Sequence, residues 1–308
     1  MLKISWTETA KLKKPCVITI GMFDGVHIGH QKMLEELTAC AKKLRCSSIV
    51  ITFTNHPRHI LDKDSSNPVK LLQTTKERFS KIASYGVDYI IPITFTKQLA
   101  SLSPKQFLDF LLEKLDIKLL LLGYDNKFGN PNNNEYEELL EEGQYRTIKI
   151  QKEISGIYYK DIEVSSTQIR KAIANGEISL ANAMLNDVYS ITSVVVKGLQ
   201  NGTKIGFPTA NISLPCDKIV PMSGVYATKT IIDGTVYNSV TNIGNNPTFN
   251  AQNTTIETYI IDFNSDIYGK EITVKFIEFL REETKFATIE DLTAQMQIDL
   301  INAKKILA

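Results

Sequence analysis

At 308 residues the chain is longer than one hydrophobic core usually serves, which favours two domains. An apolar share of 43% suits a globular protein, and a formal net charge of +1 gives no electrostatic pull toward nucleic acid or an anionic membrane. No run of about 18 apolar residues occurs, so no transmembrane helix is expected.

The opening residues, 1–8, lack the apolar core of a signal peptide, so a cytoplasmic location is expected. Cys16, Cys40, Cys46 and Cys216 are scattered, with no Cys-x-x-Cys. They read as reduced thiols, each most simply a small buried apolar residue.

In chain order, residues 16–20 are a buried strand candidate. Residues 29–44 have helical period, with Met33, Leu34, Leu37, Ala41 and Leu44 on one face. A strand over 48–53, a helix over 75–85, a strand over 87–93, a helix over 104–115 with Pro104 at its start, and a strand over 117–122 follow. Continuous apolar strands alternating with helices imply a parallel sheet covered on both faces, a doubly wound α/β domain. The run 130–134, Asn-Pro-Asn-Asn-Asn, reads as a loop.

From Val188 the pattern changes. Strand candidates at 193–196, 225–228, 257–261 and 271–276 are punctuated by turns at Asn201-Gly202, Asp233-Gly234 and 268–270. Closely spaced short strands suggest a small antiparallel β-barrel, and only 288–307 reads as helix. The change places the boundary near 183–186, giving an N-terminal domain 1–183 and a C-terminal domain 184–308.

The first strand runs into Gly21-Met22-Phe23-Asp24-Gly25-Val26-His27-Ile28-Gly29-His30, and a helix follows at once. A strand-to-helix junction aims backbone N–H groups and a helix N-terminus at one point, where phosphate binds well. Gly21, Gly25 and Gly29 let the chain turn and a nucleotide approach the backbone. His27 and His30 add N–H donors for charge developing on phosphorus. A metal site or a helix cap without chemistry is the alternative for the pair.

This decapeptide resembles the signature of the nucleotidylyltransferase superfamily, and Phe23-Asp24-Gly25 points to its bacterial FAD synthetase branch. Three later segments resemble that branch in order. They are 52–58, with Asn55 where proline is usual; 123–129, with Asn126 replacing an aromatic; and 164–170, Val-Ser-Ser-Thr-Gln-Ile-Arg. The resemblance implies that ATP is met by Gly21, Phe23, Asp24, Gly25, Gly29, Asp125, Ser166, Thr167 and Arg170, and the flavin by His56. Ser166 or Thr167 can cap a helix, and Arg170 can grip an anion bidentately; an ordinary cap and a surface arginine are the alternative. The implied reaction is adenylyl transfer from ATP to FMN, with His27 and His30 stabilising the transferring phosphate.

Gly206-Phe207-Pro208-Thr209-Ala210-Asn211 resembles the riboflavin kinase motif. The resemblance implies ATP binding by Gly206, Pro208, Thr209 and Asn211, with Thr209 and Asn211 also holding Mg²⁺. Segments 224–227 and 242–249 are similar to that family too. Glu257 is then the expected general base for riboflavin's 5′-hydroxyl, and Arg281 and Phe286 belong to a flavin-site segment. Alone, Glu257 would read as an outward-facing strand residue. The family's usual Gly-Arg pair before the motif is missing; Lys204 can supply the charge, without the fork.

Together these imply a bifunctional enzyme of flavin-cofactor synthesis. Riboflavin, FMN and ATP are its small-molecule partners and Mg²⁺ its cofactor, with no nucleic-acid or membrane partner. Two rivals remain: a riboflavin kinase with a degenerate N-terminal domain, for which Asn55 and Asn126 are the motive, and a non-catalytic flavin or nucleotide sensor.

Overall fold

In this computed structural model the described residues are all except 1, 4, 7–11, 13, 63–67, 131–133, 154, 199–201, 203–204, 215–216 and 249–250. Cys216, Lys204, Asn201 and most of the 130–134 run therefore lie outside them. By packing, the chain forms two compact units, Met1–Ser166 and Thr167–Ala308. The sequence pattern changes later, near 183–186. Packing and pattern diverge because two helices, Ser166–Ala174 and Ile178–Leu185, precede the barrel strands, and all but Ser166 lies in the second unit.

The first unit is built on a seven-stranded sheet. Its strands are β1 (Leu2–Lys3), β2 (Cys16–Ile20), β3 (Ser47–Phe53), β4 (Tyr89–Ile93), β5 (Ile117–Leu122), β6 (Gln144–Tyr145) and β7 (Ile148–Lys152). The order is β1-β4-β3-β2-β5-β7-β6, parallel throughout except the β6–β7 pair. Every residue of β2 and β3 is buried, as expected of strands covered on both faces. Neighbouring residues serve opposite layers. Val17 and Val50 pack with Leu34 and Leu37 of α1 (Ile28–Leu44) and Ile82 of α3 (Thr75–Ser84). Ile18, Ile20, Ile49 and Ile51 pack with Leu108 and Leu111 of α5 (Pro104–Leu112). Short helices α2 (Arg58–Leu61) and α4 (Lys97–Ser101) and helix α6 (Glu135–Glu142) complete this layer set.

Leu44 departs from the expected buried face. It ends α1 beside the left-handed Arg45 and is 48% exposed, because the helix stops where that stripe would turn inward. Helix α5 stops at Leu112, although Leu115 beyond it remains in the core.

The second unit opens with α7 (Ser166–Ala174) and α8 (Ile178–Leu185). Six antiparallel strands then close a barrel in the order β10-β11-β14-β13-β12-β15. They are β10 (Ser190–Val196), β11 (Thr209–Ile212), β12 (Gly224–Ile232), β13 (Thr235–Thr248), β14 (Ala251–Ile260) and β15 (Glu271–Arg281); a two-stranded ribbon, β8 (Tyr158–Tyr159) and β9 (Ile162–Glu163), precedes α7. Closure leaves no open edge. Asp233 and Gly234, at φ 50° and 83°, make the two-residue hairpin that pairs Ile232 with Thr235. The C-terminal helix, Ile289–Leu307, covers part of the barrel, burying Ala303 and Leu307 against Ala227.

Candidate active sites

In an open α/β sheet, ligands bind at the carboxyl ends of the strands where the order reverses. Here that point lies between β2 and β5. The segment after β2 is 21–27 and the segment after β5 is 123–130, so the sheet order brings two of the motifs together. Phe23 and Val26 hold left-handed backbone, at φ 53° and 40°, with Gly25 at 85° between them. For the β-branched Val26 this is strained. Gln31, buried in the first turn of α1, donates from Nε2 to the Val26 carbonyl at 2.8 Å and so pins the strained peptide.

His27 occupies the N-cap of α1 but makes no side-chain capping bond, so capping does not account for it. Its ring stacks on that of His30 at 3.7 Å, and Phe23 lies 5.0 Å from His30. A Cβ at Gly29 would meet the His27 ring at 3.3 Å; glycine is what lets that ring lie against the helix. His30 titrates well below its ordinary 6.5, through burial first, then His27, then Arg78. It is thus a neutral imidazole at pH 7. Its Nδ1 is buried with no hydrogen-bond partner among the described residues.

The Asp24 carboxylate accepts from the backbone amides of Leu72, at 3.0 Å, and Gln73, at 3.2 Å, which anchors that segment beneath the motif. Ser166 is the first residue of α7, inside the helix and not before it, and its hydroxyl donates to the Asp24 carbonyl at 2.8 Å. Thr167 and Arg170 lie one and four residues further along α7, in the second unit. His56 accepts from the Arg58 amide at Nδ1, 3.2 Å, in the segment after β3. Asp125 is exposed on the segment after β5.

The two asparagines that depart from the family pattern each hold a loop. Asn55 donates to the Phe95 carbonyl at 2.9 Å and accepts from the Phe95 amide at 2.8 Å, extending the β3–β4 pairing by a side-chain rung. Asn126 donates from Nδ2 to the Ile20 carbonyl, at the end of β2, while Tyr136 donates its hydroxyl to the Asn126 carbonyl.

In the barrel, register aligns polar residues in a row. Asn211 of β11 faces Glu257 of β14, which faces Asn242 of β13. Alternation puts Thr209 on the same face as Asn211, and its hydroxyl donates to Glu257 Oε2 at 3.4 Å. Glu257 lies between two cavities. One, of about 610 Å³, is mainly apolar; Phe207, Thr209, Tyr259, Asn242, Arg281 and Phe286 are among its walls. The other, of about 300 Å³, is lined by Lys197, Gly198, Asn211, Ser213, Thr254 and Thr255 among others. A Cβ at Gly198 would sit 2.4 Å from the Asn211 amide, so the absence of one keeps that amide's space open. Gly206, at φ 82°, turns the chain into Phe207-Pro208 ahead of β11.

Arg281 is not free to reach a ligand with its whole fork. Its Nε and Nη2 donate to Asp299 of the C-terminal helix at 2.8–3.1 Å, and its guanidinium lies 5.7 Å from the Phe286 ring centre. Sequence reading did not single out Asp299, Gln31 or Arg78. Their signal is a spatial partner on a distant element, which no local pattern displays. Among the described residues no cluster of three or more His, Cys, Asp or Glu is placed to hold a metal, and no helix is long and apolar enough to cross a membrane.

A family model described as FAD synthetase matches residues 9–168, and one described as riboflavin kinase matches 185–307. The bifunctional riboflavin kinase/FMN adenylyltransferase of Bacillus subtilis is 35% identical over 92% of this chain and 90% of its own. The enzyme of that description from Listeria monocytogenes is 35% identical over 96% and 91%. A solved structure described as a macrolide-efflux protein from Streptococcus pneumoniae superposes with a TM-score of 0.90, at 27% identity, over 99% of both chains.

Proposed function

The chain belongs to the bifunctional riboflavin kinase/FMN adenylyltransferase family, and we propose from that premise which residues carry its two reactions. It phosphorylates riboflavin to FMN and adenylylates FMN to FAD, each with ATP.

Glu257 is the general base of the kinase step. The observation that carries this is its place between an apolar cavity fit for a flavin ring and a polar one fit for phosphates. A carboxylate there takes the proton of riboflavin's 5′-hydroxyl as the γ-phosphoryl is transferred. Thr209 fixes the Glu257 carboxylate, Asn242 borders it, and Gly206 and Pro208 shape the approach to β11. Arg281, held by Asp299, and Phe286 wall the flavin side. Thr209 and Asn211 offer neutral oxygens on one strand face, and Gly198 leaves the Asn211 amide unobstructed, a donor set that fits a hard cation. Mg²⁺ held there would neutralise charge on the nucleotide's phosphates.

In the first unit, His27 and His30 stabilise charge on the α-phosphate as FMN's phosphate attacks and pyrophosphate leaves. Preorganised donors and positioning supply the acceleration without a protein nucleophile. Gly21, Phe23, Asp24, Gly25 and Gly29 shape the nucleotide cradle; Asp125, Ser166, Thr167 and Arg170 serve ATP, and His56 the flavin. The kinase domain proper begins near residue 184, in the cytoplasm. The degenerate-domain reading loses the motive it drew from Asn55 and Asn126, since both hold the loops in place, and the intact His27, His30, Thr209, Asn211 and Glu257 argue against a sensor. Incubation with riboflavin, ATP and Mg²⁺ should yield FMN and then FAD by chromatography. FMN alone would leave only the kinase, and neither product would refute both activities.

A further inference from the structure

Helix α3 turns three consecutive-turn positions inward: Arg78, Phe79 and Ile82. Two are apolar, as an inward stripe should be. The first is an arginine with no exposed surface, the largest fully buried side chain in the described residues. Arginine is almost never fully buried unless paired, and a well-packed apolar side chain at such a site is commonly as stable or more so. Arg78 is also poorly satisfied. Nη2 donates to the Phe53 carbonyl at 2.6 Å, Nη1 reaches only the Met22 sulfur at 3.5 Å, and Nε is buried with no hydrogen-bond partner among the described residues. Packing alone gives no reason for a cation here.

Its contacts give one. Phe53 ends β3 and Met22 lies in the segment after β2, so the guanidinium sits under the ends of the two strands that lead into the histidine motif and the His56 segment. We infer that Arg78 is a positioning residue of the adenylyl-transfer site: a fixed, solvent-free cation whose field and hydrogen bonds prepare the His27–His30 pair for an anionic phosphate. The inference rests on assigning that pair to adenylyl transfer.

The electrostatics are consistent in sign. The groups that act on His30 are His27, stacked on it, and Arg78 from α3, both of which disfavour the imidazolium; Asp24 offsets the charge of Arg78. Burial presses on Arg78 too, but a guanidinium does not lose its proton in a protein, so its charge stays on where a buried lysine's would not be assured. The site therefore meets phosphate with one permanent positive charge and the neutral ring of His30. An arriving anion is attracted by the first and can then draw a proton onto the second.

The test uses the full-length protein with Arg78→Met, which keeps length and removes charge, and Arg78→Lys, which keeps charge without the fork. His30 is titrated by ¹H–¹⁵N NMR, its signal identified by loss in His30→Ala, and FAD formation from FMN and ATP is followed across pH. Riboflavin phosphorylation in each sample reports on active protein. In Arg78→Met the His30 midpoint should rise by about one unit or more. The KM for FMN or ATP should rise at least about tenfold, with the pH profile moved in the same direction, while phosphorylation is unchanged. A lower melting temperature with the His30 midpoint and the profile unmoved would overturn the inference and leave Arg78 a structural plug. If Arg78→Met does not fold, Arg78→Lys decides: a raised KM for FMN or ATP with riboflavin phosphorylation unchanged supports the inference, and an unchanged KM overturns it. If His30→Ala itself forms FAD normally, the site assignment has failed; if it does not while Arg78→Met does, only this inference has.

Discussion

His30 carries a consequence that can be read as stability. Its pKa in the folded protein lies well below the ordinary 6.5. Between those two values the unfolded chain binds a proton that the folded chain does not, so stability rises with pH across that window. The contribution is fully present above about 6.5 and is lost as the pH falls toward the folded value. The wild type should therefore lose more melting temperature between pH 7.5 and 5.5 than His30→Gln does. Parallel losses would mean that His30 titrates normally. At this scale the sequence was informative where the proposed site residues sit in contiguous motifs, as His27, His30, Thr209 and Asn211 do. It was least informative where a residue acts by satisfying a distant backbone group. Asn55 and Asn126 look like decay in a linear pattern, yet each bonds a backbone group that only the fold brings near. Arg78 looks like a helix-surface cation until α3 is placed on the sheet.

Among the elements, the long apolar strands and the helices with a strong 3.6-residue stripe were legible, because burial on two faces or one leaves a plain period. Strands β11 and β13 were not. Thr209–Ile212 is only four residues long, and Thr235–Thr248 contains Gly244 and Pro247, which normally break a strand. Both lie beyond Ile243, the last residue of the strand paired with β12, where pairing with β14 alone leaves the strand's extension a free edge that tolerates them. The C-terminal helix was legible as a helix, but its task was not. Asp299, with its side chain 5% exposed, fixes Arg281 at the wall of the larger, mainly apolar cavity. Removing one member of a buried ion pair costs about 3–5 kcal/mol, and since the Arg281 side chain is 22% exposed the lower end is expected. Asp299→Ala should therefore lower the stability of the barrel unit and raise the KM for riboflavin, measured by thermal denaturation and FMN formation. Unchanged values of both would mean the helix does not support the site.

For the whole molecule, alternation of strand and helix followed by dense short strands sufficed to give two architectures in the right order. Where the second unit begins was less legible, because α8 is apolar and short and carries no sign of its partner. In the structure its Asn182 donates to the Phe276 carbonyl at 2.9 Å and accepts from the Tyr189 amide at 2.7 Å, while Ile178, Ala181, Met184 and Leu185 are buried. A fragment of residues 167–308 keeps these contacts, and a fragment of 184–308 cuts through them. Both should contain the kinase site, but the longer one should melt higher and phosphorylate riboflavin at closer to the full-length rate. Equal melting temperatures would show that α8 does not belong to the barrel's cooperative unit.

The central claim is that one chain holds two separate sites with separate chemistry. It is tested most directly by assaying Glu257→Gln and His30→Ala for both reactions, each in full-length protein verified as folded. Glu257→Gln keeps size and removes the base, so FMN formation from riboflavin should fall by about 10²–10⁴, while FAD formation from supplied FMN continues. His30→Ala removes one charge-stabilising donor, so FAD formation should fall by about 10²–10³, while FMN accumulates from riboflavin at the wild-type rate. Loss of both reactions in either folded variant would contradict the account.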